Sequence, residues 1–309
     1  MNFAPYRRAA WLFGNTLLAC AVVSGTEVTK NPEPIPDGEA VMPGVFNTEL
    51  PKLVLPESLR ITLRPHFGDF LNEDYFRVTV GARYGLTPQL ELSGDADTYI
   101  SHGFGDESVG KKIGVASVTL GMKYNFSDLL LPYWDTAVGL KYRFPVSGAP
   151  ADLTDGLHHV TPYMTLAHDW ASRPDMTTFI SYGMDFVAKS DLAGSVSKGE
   201  FDANHWFITP GVLWHRGAFD YTLETDLKST FGLSSRDEYR VTVRPGVKWT
   251  LPPPLRFYAR SHWVVGVSVS GSYGTGGTDV GVSARLQTNF DFKRFFRGRP
   301  QLYEPEPAK

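Results

Sequence analysis

From Leu59 onward the sequence alternates between apolar and polar residues, and it does so again and again. Phe219, Tyr221, Leu223 and Leu227 interleave with Asp220, Thr222, Glu224, Asp226 and Lys228. Tyr239, Val241, Val243, Val247 and Trp249 interleave with Arg240, Thr242, Arg244 and Lys248. A period of two sends successive side chains to opposite faces of a strand, so each segment has one greasy and one wet face. Twelve such segments lie near 58–66, 75–85, 89–99, 113–125, 133–144, 159–170, 177–187, 204–214, 218–229, 238–250, 256–269 and 279–292. They supply the ~9–11 residues that a tilted strand needs to cross a bilayer. Strands of soluble sheets average only ~5–6 residues.

The connections alternate as well. Those at 85–89, 171–176, 215–218 and 251–255 are tight, whereas those around 100–112, 145–158, 188–203 and 270–278 are longer and rich in Gly, Ser and Asp. Short turns at one end and long loops at the other is the pattern of outer-membrane barrels. The apolar connection 126–132 departs from it. Aromatic residues collect at the strand ends beside the short turns: Tyr84, Tyr124, Trp134, Trp170, Trp214 and Trp249. Amphipathic rings favour headgroup depth, so these six are expected to form a membrane girdle. The expected fold is an all-β, transmembrane, antiparallel up-and-down β-barrel of about twelve strands over 58–292. Pro162, Pro210 and Pro245 cut against it, because each removes a ladder donor inside an expected strand; bulges or later strand starts would accommodate them.

Arg7 and Arg8 precede an apolar stretch from Ala9 to Val23, followed by Ser24 and Gly25. This reads as a secretory signal peptide, residues 1–25. Leu17-Leu18-Ala19-Cys20 also fits a lipoprotein cleavage box with Cys20 lipidated, and either reading exports the chain. Residues 26–57 are proline-rich without a period and are expected to be an extended periplasmic segment. Residues 293–309 are expected to be a periplasmic tail. A single cysteine excludes a disulfide framework or a multi-cysteine metal site. With 30 Lys+Arg against 33 Asp+Glu, the chain lacks the basic excess of a nucleic-acid binder.

The hairpin Val80-Gly-Ala-Arg-Tyr-Gly-Leu-Thr-Pro-Gln-Leu-Glu-Leu92, with Leu120-Gly-Met-Lys-Tyr-Asn-Phe126 and Val138-Gly-Leu-Lys-Tyr-Arg-Phe144, resembles Gram-negative outer-membrane barrels. In particular it resembles the group of transporters and phenol-degradation-pathway outer-membrane proteins of the MetA kind. The resemblance implies a bacterial outer-membrane location and a channel or transporter for small solutes, some of them anionic or aromatic. It brings no catalytic residues and no cofactor. The partners implied are outer-membrane lipid and lipopolysaccharide, the barrel-assembly machinery and a small-molecule solute.

If the polar face lines the lumen, its charges are unevenly placed. Arg60, Arg64, Arg77, Arg83, Arg240, Arg244, Lys248, Arg260 and Arg285 form a basic wall. Glu91, Asp95 and Asp97 border it on one side, and Asp220, Glu224 and Asp226 on the other. A turn centred on Thr87 would set Arg83 opposite Glu91 and Arg77 opposite Asp97. Such a wall either serves as a structural ladder or attracts anionic and polarised solutes.

Two other functions compete with a channel. An outer-membrane hydrolase of the protease type would need Asp95 and Asp97 beside His168 and Asp169, which the expected topology puts at opposite ends of the barrel. One of the phospholipase type would need Ser261 and His262 to act together, yet neighbours in a strand face opposite ways. His158 and His159 read as a solvated loop pair. Gly105–Lys111 imitates a phosphate loop but lacks the following hydroxyl and helix. The remaining alternative is a plugged structural barrel, with residues 26–57 or the loops filling the lumen.

Overall fold

The computed structural model describes residues 45–66, 75–101, 113–126, 133–146, 156–189, 203–231, 238–255, 262–275 and 277–291. Twelve strands follow one another in it: β1 (Ser58–His66), β2 (Tyr75–Gly85), β3 (Leu90–Ser101), β4 (Ile113–Asn125), β5 (Asp135–Pro145), β6 (Leu157–Asp169), β7 (Met176–Lys189), β8 (His205–Arg216), β9 (Phe219–Thr230), β10 (Tyr239–Thr250), β11 (His262–Gly274) and β12 (Gly277–Asp291). Each pairs antiparallel with its sequence neighbours, and β1 pairs with β12, which closes the barrel. Closure leaves no unpaired strand edge.

The alternation decides which side chain goes where. Leu120 and Met122 on β4 are more than half exposed on the outside, while Lys123 of the same strand is 2% exposed on the inside. The same division runs round the barrel: Val80, Leu140, Tyr182, Leu223, Val243, Val267 and Val282 all stand exposed on the outer face. A water-soluble protein rarely shows apolar patches beyond a few hundred Å². An apolar surface that encircles a closed barrel is the surface of a membrane barrel.

Two expectations need correcting in detail. Strand β11 begins at His262 and runs to Gly274, where it pairs with Gly277 of β12. The connection thought to be long, 270–278, is therefore a tight hairpin, and the stretch 251–255 carries a 3-10 turn at Pro253–Leu255. Residues 256–261, where the expected strand began, lie outside the described residues. Arg260 lies outside the described residues. The second correction concerns register. Gly85 pairs with Glu91, Arg83 with Ser93 and Arg77 with Tyr99. The turn is centred one residue later than Thr87, so Arg83 and Glu91 are diagonal neighbours.

The three prolines sit inside strands β6, β8 and β10 without bulges. Ile208 pairs with Leu227 and Gly211 with Glu224, so the β8–β9 register is unchanged across Pro210. The same holds across Pro162 between β6 and β7 and across Pro245 between β10 and β11. Each proline interrupts the ladder on one side only, as a missing N–H would. A register irregularity does occur between β3 and β4, at Asp97/Thr98.

Glycines on the inner face make room for rings. A Cβ at Gly139 would fall 2.3 Å from the Tyr163 ring, and one at Gly211 would fall 2.2 Å from Phe179. Gly211 and Gly246 follow the two prolines of the repeated Pro-Gly-Val-x-Trp unit, and at Gly246 the ring that fills the space is Phe46.

Candidate functional site

Phe46 belongs to a part of the chain expected outside the barrel. Residues 45–54 instead cross its interior at the short-turn end, which corrects the extended periplasmic reading for that part of 26–57 and agrees there with the alternative that placed 26–57 in the lumen. Val45, Phe46, Leu50 and Val54 are buried. Val45, Phe46 and Leu50 form one apolar cluster with Ala167, Phe179 and Leu213 of the wall. The chain leaves the interior through a bridge between Pro56 and Gly85. It turns into β1 at Glu57, whose backbone is left-handed (φ 59°). Leu86, Thr87 and Pro88 lie beside this exit.

Polar bonds hold the segment on several sides. The Glu224 carboxylate accepts the backbone N–H groups of Phe46 (2.6 Å), Asn47 (3.1 Å) and Thr48 (3.0 Å), and the Thr48 hydroxyl (2.8 Å). Glu91 accepts Val54 N–H at 2.8 Å. Lys123 Nζ donates to the carbonyls of Leu50 (3.0 Å) and Lys52 (3.3 Å), and Asn125 donates to Pro51. Thr165 donates to the Glu49 carbonyl, and Arg285 donates to the Val45 carbonyl. Val45 N–H bonds within the segment, to the Thr48 carbonyl at 2.9 Å; for the other groups named here the wall supplies the partners.

The Glu49 side chain is the centre of a charge cluster. Arg83 Nη2 and Lys141 Nζ each lie 2.9 Å from it, and Lys123 Nζ lies at 3.5 Å. Burial would raise its pKa, but Arg83, Lys141 and Lys123 hold it well below the ordinary carboxylate range. Lys123 also meets Glu91 at 3.4 Å, and Arg83 reaches Glu91 at 4.0 Å and Asp95 at 3.7 Å.

Arg260 aside, the basic and acidic residues named from sequence fall at inward positions of their strands. Arg64 pairs with Asp95 at 3.1 Å. Asp97 accepts the hydroxyls of Thr79 (2.6 Å) and Ser117 (2.7 Å). On β9 and β10, Arg244 lies opposite Glu224 and Lys248 opposite Asp220, whereas Arg240 lies opposite Lys228. Asp226 accepts Thr209 and meets Lys228 at 3.5 Å. Arg60 donates to Asn289 at 2.6 Å. Two of the basic residues, Arg60 and Arg285, bond to neutral oxygens and not to carboxylates.

Sequence reasoning missed a second cluster, nearer the long loops. His159 lies 2.6 Å from Asp185, which also accepts Thr161 Oγ1 at 2.7 Å and has His205 at 3.7 Å. Arg143 lies 2.7 Å from the other His159 nitrogen. His159 is a buried strand residue, not part of a solvated loop pair. The pattern that could have revealed it is parity: His159, Thr161, Asp185 and His205 all fall on inward positions. His168 and Asp169 do separate to opposite faces. His168 stacks on Trp134 outside, and Asp169 meets Lys52 at 3.2 Å inside.

The aromatic residues expected in the girdle lie at strand ends beside the short turns, with Tyr124 and Trp214 exposed outward. Trp249 stacks on Phe219, and Trp170 meets His168 edge-on. Cys20 lies outside the described residues.

No family model and no curated protein matches the chain. Solved structures do. An outer-membrane channel of the COG4313 group from Pseudomonas putida F1 aligns with a TM-score of 0.51 at 12% identity, over 81% of this chain and 98% of that one. The NanC porin aligns with a TM-score of 0.45 at 15% identity, over 75% of this chain and 98% of the porin. The KdgM porin aligns with 0.44 at 12% identity, again over 75% and 98%. At such identities the likeness is one of fold, a closed all-β barrel.

Proposed function

We propose that the chain is a channel of the bacterial outer membrane for passive passage of small solutes, with a preference for anions. The observation that carries this reading is the division of the barrel into an apolar outside and a charged inside, visible where Leu120 and Met122 stand exposed beside the buried Lys123. Acyl chains solvate the first surface, and only water or a polar solute suits the second. The fold shared with the Pseudomonas putida channel supports it. Lipid and lipopolysaccharide would surround the barrel, the barrel-assembly machinery would insert it, and the six aromatic residues would sit at the inner headgroups. Arg60, Arg64, Arg77, Arg83, Arg240, Arg244, Lys248 and Arg285 would line the path. Glu91, Asp95, Asp97, Asp220, Glu224 and Asp226 would set its acidic margins. We read the protein as a non-enzyme, akin to the MetA-like transporters.

Residues 45–54 narrow the short-turn half of the lumen and favour one second reading, a barrel sealed by its own chain. Planar-bilayer recording from the purified protein separates the two. Steps of conductance with reversal potentials favouring anions support the channel. Silence in both the full chain and a chain lacking residues 26–54 rules it out.

A further inference from the structure

A pocket of about 30 Å³ lies between the crossing segment and the wall. It is lined by residues 45–48 and by Arg60, Arg64, Arg83, Lys141, Arg285 and Glu49. Five cations thus face one carboxylate. That carboxylate is shared by Arg83, Lys141 and Lys123. Arg64 has Asp95. Among the described residues no carboxylate lies within 4 Å of the Arg60 or Arg285 guanidinium, although the two residues are only 3% and 7% exposed. Their bonds go to the neutral oxygens of Asn289 and Val45, and Arg60 Nη1, Arg64 Nε and Arg285 Nε have no acceptor.

Buried donors without acceptors are costly, and buried charge without a counter-charge more so. A water molecule would fit the volume and satisfy a donor, but it would leave the positive charge uncancelled. We propose that this pocket binds one small monovalent anion, of halide or carboxylate size, held by Arg60, Arg64 and Arg285 against the crossing segment. Planar guanidinium groups suit both kinds of anion. The anion would be a resident of the pocket, whatever else passes through the lumen. It would also fasten Val45, whose carbonyl already bonds to Arg285, to the wall.

The purified full-length barrel, crystallised from bromide, is expected to show one anomalous peak within contact of Arg60 and Arg285. Its thermal midpoint is expected to rise saturably with bromide when ionic strength is held constant with gluconate. Arg285→Gln is expected to raise the half-saturating bromide concentration at least ~10-fold, the loss of one charge-assisted contact. Competition identifies the natural source. Displacement of bromide by formate and also by glucuronate points to a subsite for the carboxylate end of a solute. Displacement by formate alone points to an enclosed ion. Absence of the peak in the unmutated protein, or the same saturation curve in Arg285→Gln, overturns the proposal. A barrel that shows the peak but does not conduct overturns the channel reading alone; one that conducts without the peak overturns the anion site alone.

Discussion

The Glu224 carboxylate lies 2.6 Å from the backbone nitrogen of Phe46, a residue 178 positions earlier in the chain. One side chain of β9 thereby takes the N–H groups of three consecutive residues and a hydroxyl. Glu224→Ala would leave all of them without that acceptor. Charge-assisted bonds contribute ~1.5–3 kcal/mol each, so the crossing segment should detach while the strand ladder survives. The expected result is a larger single-channel conductance, approaching that of a chain lacking residues 26–54.

Glu49 gives a prediction about acidity. Its carboxyl is held well below the usual range by Arg83, Lys141 and Lys123. A carboxyl whose folded pKa is lowered stabilises the folded arrangement fully above its unfolded pKa of ~4.3. That contribution fades as pH falls towards the folded value. Conductance should therefore hold constant from neutral pH down to ~5 and rise only in stronger acid. Glu49→Gln removes the anchor at every pH and should show the acid level of conductance already at neutrality.

Gly246 admits the Phe46 ring: a Cβ there would fall 2.4 Å from Cε2 of the ring. Gly246→Ala must push Phe46 out of its seat, at a cost of ~1–3 kcal/mol for overpacking. The variant should unfold at the same denaturant concentration as the parent when both lack residues 26–54, and at a lower one when both retain them. Equal shifts in the two backgrounds would place the fault in the strand, not in the segment.

The apolar outside is open to a paired test on β4. Leu120, 53% exposed, faces outward, and Thr119 beside it faces the interior. Leu120→Arg should destabilise the barrel in lipid by ~2–4 kcal/mol, as cations at mid-membrane do. Thr119→Arg should cost less and instead change ion selectivity. Equilibrium unfolding in vesicles reads the first effect, and reversal potentials read the second.

The basic wall predicts selectivity. Arg64→Gln with Arg244→Gln removes two inward charges, one paired with Asp95 and one opposite Glu224. Anion preference should fall in the double variant with the conductance of cations rising. Unchanged reversal potentials would show that the wall is only a ladder.

How far the sequence carries depends on where each interaction lies along the chain. Alternation is local, so the strand set and the inward position of Arg64, Asp95 or Lys248 could be read directly. Register is less local, and moving the turn centre by one residue set Arg83 opposite Ser93 and not Glu91. The far end of β11 went astray because the Gly- and Ser-rich residues 270–274 read as a loop, although the ladder continues to Gly274. The crossing segment was the hardest to see. Its side-chain partners lie 34 to 240 positions away, and a proline-rich stretch carries no period to interpret. Its apolar residues Val45, Phe46, Leu50 and Val54 were the available hint, because a linker in water has no use for them.

The occupant of the lumen is joined to β1 through Glu57, so seating it is an intramolecular event. A short tether fixes an effective concentration in the millimolar range. A solute competing for Glu224 or Lys123 must therefore outbid millimolar peptide at all times, and diluting the protein gives it no advantage.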